Sequence, residues 1–161
     1  MLEGDFVLSS GKRSRFYVDK YLFSTEPSLL RDLAQEISAK LPTGAARLAG
    51  VELGAVPLVA AASLHSGLHY VIIRKAAKEY GTGNRIEGRP IETGERVVLV
   101  EDVVTTGTQV LRAAKILEEA GAEVLEIVAV LDRREEASAH LGGYPFRAVL
   151  RMEDLGVTSR D

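Results

Sequence analysis

The chain has no cysteine, which excludes disulfides, thiolate nucleophiles and cysteine-ligated metal centres. It has no tryptophan either, so Val, Leu, Ile and Ala supply most of its apolar content. An excess of positive charge is also missing: the formal net charge is -3 and the pI near 5.7. No global positive field therefore recruits nucleic acid, although local basic segments can still hold phosphates, and a small ligand is the favoured partner. No apolar run approaches the roughly 18 residues that span a bilayer, and the start, MLEGDFVLSSGKRS, is not a basic-then-apolar leader. A cytoplasmic protein with no membrane partner is expected. Low-complexity tracts and internal repeats are absent. So is a Walker loop, and the six-residue dinucleotide fingerprint fails where Ile86 follows Gly81 and Gly83 in place of its last glycine. What remains is 161 residues with 46% hydrophobic content, enough for one substantial core and most simply one domain over 1–161.

Phe6 to Leu8 and Arg15 to Asp19, separated by Ser9, Ser10 and Gly11, read as two short extended segments. A helix is expected next, capped by Thr25, with Pro27 in its first turn, a stripe of Leu29, Leu30, Leu33, Ala34, Ile37 and Leu41, and Pro42 ending it. Arg47 to Val51 reads as a strand, Gly54 and Pro57 as a turn, and the Ala-rich segment to about Ser66 as a buried helix. Tyr70 to Arg74 is the next expected strand. A polar stretch from Lys75 to Gly94 then lacks any core pattern, and so long a structureless connection in a compact domain is often a functional lid. The helix from Thr108 to Ala120 ends at a C′ glycine, Gly121, and Val124 to Leu131 is a continuous apolar strand. Strands alternating with helices predict an α/β fold with a mostly parallel sheet flanked by helices and right-handed crossovers.

The most informative stretch is VVLVEDVVTTGTQ, Val97 to Gln109. A buried strand, Val97 to Val100, delivers Glu101 and Asp102 to its carboxyl end, the edge where open α/β sheets bind ligands. Two adjacent carboxylates there can accept hydrogen bonds from vicinal ribose hydroxyls or approach a divalent metal. Thr105, Thr106, Gly107 and Thr108 follow. Their N–H groups and hydroxyls form an anion cradle at the positive end of a helix, with Gly107 allowing close approach. Together these features describe a ribose-phosphate site. His65 and His69 have the spacing of two ligands on one helix face, but Gly67 between them marks a helix end and no third ligand is evident, so zinc is not expected.

The stretch from Val97 to Gln109 resembles the phosphoribosyl-pyrophosphate (PRPP) motif of the type I phosphoribosyltransferases. Arg74-Lys75-Ala76-Ala77-Lys78-Glu79-Tyr80-Gly81 resembles the mobile-loop signature of one branch, the orotate phosphoribosyltransferases. FVLSSGKRSRFYVD is similar to that branch's Phe-x-Leu-x-Ser-Gly-x-x-Ser pattern, and Leu131-Asp132-Arg133 to its orotate-carboxylate arginine. The resemblance runs from Phe6 to about Arg134. It implies a small hood-like N-terminal segment, 1–24, over the base site and a mobile catalytic loop, 75–94. It also implies transfer of phosphoribose from PRPP to orotate, giving orotidine monophosphate and pyrophosphate in pyrimidine biosynthesis.

The site residues follow by the same resemblance. Lys78, Glu101 and Asp102 are the expected catalytic groups. Arg74, Lys75, Lys78 and Tyr80 of the loop, with Glu101, Asp102, Val103, Val104, Thr105, Thr106, Gly107, Thr108 and Gln109, would bind PRPP. Thr105, Arg133, Tyr17 and Val18 would bind orotate, where a planar guanidinium suits a carboxylate. Mg²⁺ is the implied cofactor, held mainly through PRPP and water near Glu101 and Asp102. A homodimer is expected, its loop acting on the neighbouring subunit.

Three positions depart from the pattern. Ser9 and Gly54 stand where many relatives carry PRPP-contacting lysines, and Tyr80 stands where histidine is common; either backbone amides around Glu52 to Ala55 hold the phosphate instead, or affinity or substrate is altered. The first motif stands almost at the start, without the helix that usually helps cover the base, so an open base pocket is expected. Two alternatives stay open: a type I transferase acting on a purine or another base, and a PRPP-sensing regulator without transfer activity.

Overall fold

The computed structural model describes residues 2–7, 13–17, 19–76 and 84–156. A two-stranded antiparallel unit, β1 (Leu2–Val7) and β2 (Arg13–Tyr17), stands apart from a seven-stranded sheet. That sheet contains β3 (Arg47–Val51), β4 (His69–Ile73), β5 (Ile86–Glu87), β6 (Arg96–Val104), β7 (Glu123–Asp132), β8 (His140–Leu141) and β9 (Tyr144–Arg151), in the order β5-β4-β3-β6-β7-β9-β8. The five inner strands pair in parallel and the two short outer ones antiparallel. This is the mostly parallel α/β sheet that the alternating pattern predicts.

Helices cover both faces. Along β6, Val97 and Leu99 point to one side, where they meet Val110, Ala113, Ala114 and Leu117 of α4 (Thr108–Glu119). Val98 and Val100 point to the other, against Leu33 and Ile37 of α2 (Pro27–Ala39) and Leu58, Val59 and Ala62 of α3 (Ala55–Ser66). All four β6 residues are fully buried, which is why this strand reads as an unbroken apolar run rather than an alternating one.

Three expectations need correction. A short helix, α1 (Lys20–Thr25), precedes α2, so Thr25 is not a cap. Its hydroxyl instead donates to the Tyr21 carbonyl, 2.5 Å away, at the end of α1, and α2 starts after Glu26 with Pro27 in its first turn. The stretch 75–94 is not wholly outside the core: Ile86 pairs with Ile73 through β5, and Ile86 and Ile91 pack on the α4-side core. A strand that no sequence pattern announced, β9, lies parallel beside β7. Finally, β6 does not end at Val100 but runs on to Val104, with Glu101 and Asp102 inside it. Among the described residues, no helix is long and apolar enough to cross a membrane.

Candidate active site

The position of the site follows from the strand order. From β3 the chain crosses through α3 to β4, whereas from β6 it crosses through α4 to β7 on the other side and the opposite face. The β3–β6 boundary is therefore a topological switch point, where the two following turns diverge and leave a crevice. Pairing between β3 and β6 stops at Gly50 and Val100, while β6 continues beside β7 to the pair Val104–Asp132. Glu101 and Asp102 thus project past the end of β3 at the floor of the crevice. A cleft of about 750 Å³ opens there, bordered by the turns after β3 and β6, the start of α1, and the end of β7.

The acid pair is buried, Glu101 at 6% and Asp102 at 3% relative exposure. Each carboxylate accepts the next backbone N–H: Asp102 N donates to Glu101 Oε1 at 3.0 Å and Val103 N donates to Asp102 Oδ1 at 2.7 Å. Those bonds fix the rotamers. The second oxygen of Asp102, Oδ2, is buried with no hydrogen-bond partner. Its contact is the Lys20 ammonium, 2.9 Å away at ion-pair distance but without hydrogen-bond alignment. Burial, then the adjacent negative charge of Asp102, pushes Glu101 up to about 8. For Lys20, burial opposes the charge, but Asp102 outweighs it and the net shift is upward.

The turn after β6 has the chemistry of an anion cradle. Gly107 caps α4 with φ +80°, and a Cβ there would meet Leu141 of β8 at 2.7 Å, so the turn requires glycine for both backbone and space. Thr106 and Thr108 have their hydroxyl oxygens 3.0 Å apart at the mouth of the helix. Across the cleft, the turn after β3 contains a cis Glu52–Leu53 peptide and Gly54. Glu52 Oε1 accepts the backbone N–H of Lys75, which ties this turn to the base of the loop after β4. The loop's feet are also joined, since Arg74 N donates to the Arg85 carbonyl at 2.8 Å and Arg85 Nη2 to the Lys75 carbonyl.

Of the expected site residues, Lys75, Glu101, Asp102, Val103, Val104, Thr105, Thr106, Gly107, Thr108, Gln109 and Arg133 line the one cleft. Arg74 does not line it: its Nη1 lies 3.4 Å from Glu87 Oε1. Lys78, Tyr80, Val18 and the Tyr17 side chain lie outside the described residues. Arg133 is separated from its neighbour by function. Arg134 grips Asp132 with two nitrogens at 2.9 Å and stacks 4.0 Å from the Phe146 ring centroid, whereas Arg133 donates its backbone N–H to Val104 and borders the cleft. His65 ends α3 and His69 begins β4, so they do not share a helix face.

The phosphoribosyl transferase domain family matches residues 26–144. The orotate phosphoribosyltransferase of Natronomonas pharaonis is 50% identical over 98% of this chain and 87% of its own length. The chain belongs to the orotate phosphoribosyltransferase family. Among solved structures, the orotate phosphoribosyltransferase of Aeropyrum pernix superposes with a TM-score of 0.80 at 32% identity, covering 96% of this chain and 92% of that one. That of Mycobacterium tuberculosis in complex with PRPP gives 0.73 at 30% identity, covering 95% and 90%.

Within this orotate phosphoribosyltransferase site, four lining residues escaped the sequence motifs: Lys20, Tyr21, Val110 and Arg112. Arg112 sits one turn after Thr108, a spacing that places it on the cleft side of α4 and could have been read from helical periodicity. Lys20 and Tyr21 carry no such signal, because α1 is too short to show a period and reaches the cleft only through tertiary packing.

Proposed function

We propose that this chain transfers the 5-phosphoribosyl group of PRPP to orotate, releasing pyrophosphate and forming orotidine 5′-monophosphate. The observation that carries the reading is the convergence, in one cleft at the switch point, of the buried acid pair, the Thr105–Gln109 cradle and Arg133. Membership of the family and the PRPP complex of the M. tuberculosis relative support it.

Each group has a physical task. The N–H groups and hydroxyls of Thr105 to Gln109 hold the 5′-phosphate at the start of α4. Glu101 and Asp102 accept the ribose hydroxyls, fixing the ring while positive charge develops at the anomeric carbon. The orotate nitrogen forms the new bond to that carbon as the bond to pyrophosphate breaks, with inversion. Arg133 takes the orotate carboxylate as a bidentate partner, and Thr105 and the 16–18 strip complete the base site. Lys75 and Lys78 meet the departing pyrophosphate from the loop after β4, which also excludes water. The loop serves the neighbouring subunit of a homodimer, and 1–161 acts as one catalytic domain.

The donor set fits a substrate-borne Mg²⁺ better than a protein-caged one. The buried, hydrogen-bond-free Oδ2 of Asp102 is an oxygen suited to a metal-bound water, and no cluster of three or more His, Asp or Glu able to hold a metal occurs among the described residues. Glu101 and Asp102 would hold the ion indirectly, and when bound it neutralises charge on the diphosphate.

The test is pyrophosphate release from PRPP and Mg²⁺ with orotate, uracil, hypoxanthine or no base, and the nucleotide confirmed by mass. Release with orotate alone is expected, and Arg133→Met should abolish the preference for it. Turnover with hypoxanthine or uracil instead would overturn the substrate assignment.

A further inference from the structure

The cleft has an electrostatic mismatch at its floor. It receives a polyanion, yet Glu52, Glu101 and Asp102 all line it. At one end the helix start supplies N–H donors. At the other, the turn after β3 offers an acid at Glu52 and no side chain at Gly54. Lys20 supplies a cation at that second end. Its ammonium lies 2.9 Å from Asp102 Oδ2, the same oxygen that abuts Gly54, where a Cβ would sit 1.5 Å from it. Lys20 Nζ and the space where a side chain at position 54 would begin therefore abut the same carboxylate oxygen.

The placement is built in. Asp19 caps α1 by accepting the Tyr21 N–H at 3.0 Å, Ser24 anchors the helix with 2% exposure, and α1 packs on α2 and α3. The Lys20 side chain keeps 34% exposure, which leaves its stem room to pivot, and its ammonium lies 5.5 Å from the centroid of the Tyr21 ring.

Resting on the reading of the site as a PRPP site, we propose that Lys20 is a substrate-contacting residue for the diphosphate of PRPP, parked on Asp102 in the free protein. When PRPP enters, a ribose hydroxyl takes over Asp102 Oδ2 and the Lys20 ammonium turns to the diphosphate beside it. The exchange is favourable because a diphosphate carries more negative charge than one carboxylate and the carboxylate gains a hydroxyl donor in return. Lys20, arriving from a different element, thereby places a cation beside the turn whose own residue 54 has no side chain.

The test uses the full chain and calorimetric titration with two probes, inorganic pyrophosphate with Mg²⁺ and ribose 5-phosphate. Lys20→Met should weaken pyrophosphate binding roughly tenfold or more, the scale of one charge-assisted hydrogen bond. Ribose 5-phosphate binding should stay within about twofold, and Lys20→Arg should recover most of the loss. In steady state the KM for PRPP should rise with that for orotate unaltered. If Lys20→Met does not fold, Lys20→Gln, neutral but polar, carries the same expectation. Unchanged pyrophosphate affinity would overturn the proposal, as would a larger loss for ribose 5-phosphate, since Lys20 would then act only through Asp102. Wild-type transfer to orotate is scored separately, so loss of the substrate reading and loss of the Lys20 role give different patterns.

Discussion

Gly54 and Asp102 share their space so closely that a methyl group at position 54 would be centred 1.5 Å from Oδ2 of Asp102. The turn after β3 is thereby moulded onto the carboxylate that β6 carries past the end of its neighbour. The contact links the two halves of the cleft across the switch point, and it makes the geometry of Asp102 depend on a residue with no functional group.

Replacing that glycine should cost activity before stability. In Gly54→Ala the Asp102 carboxylate has to move by more than an ångström or the turn has to lift, and misplacement on that scale costs about 10²-fold in rate. The expected result is a kcat/KM for PRPP lowered by roughly that factor, with a melting temperature within a few degrees of wild type because the turn lies at the carboxyl end of β3 beside the open cleft. Unaltered kinetics would show that Asp102 can rotate without consequence.

The acid pair should also leave a mark on the pH dependence of stability. Glu101 in the folded chain is raised from the ordinary 4.5 to about 8, chiefly by burial. Between those values the folded state binds a proton that the unfolded state has released, so stability is full at the acid end of the window and declines as pH rises through about 8. Thermal melts without ligand should therefore fall between pH 6 and pH 9. Glu101→Gln, which cannot ionise, should flatten that slope and be the more stable protein at pH 9. A parallel decline in both proteins would assign the slope elsewhere.

Those two acids were legible in the sequence because Val97 to Gln109 combines a fully buried strand, a carboxylate pair and a glycine-capped helix start within one continuous run. The core helices α3 and α4 were legible for the same reason, each bounded by a glycine. What escaped was short or mixed. β9 reads YPFRAVLR, its apolar residues interrupted by Pro145, Arg147 and Arg151, because it is only partly buried and lies near the sheet edge. β5 has two residues and no period at all. α1 has six, and its contribution to the cleft, Lys20, meets Asp102 only because α1 packs on the α2–α3 layer. Local pattern marks residues that share an element, whereas a cation delivered from another layer is visible only in three dimensions.

The arrangement of subunits can be decided by complementation. Lys78→Ala should lower turnover roughly 10²–10³-fold, the scale for one preorganised electrostatic contact, and Asp102→Asn should disable the ribose end of the same site. If the loop serves its own chain, a heterodimer of the two variants contains one lesion in each site and stays as slow as its parents. If the loop crosses to the partner, both lesions fall in one site and the other is intact, so the purified heterodimer should regain about half the wild-type rate. Two affinity tags isolate that heterodimer from the homodimers. Recovery is the outcome expected of the proposed homodimer, in which the loop serves the neighbouring subunit.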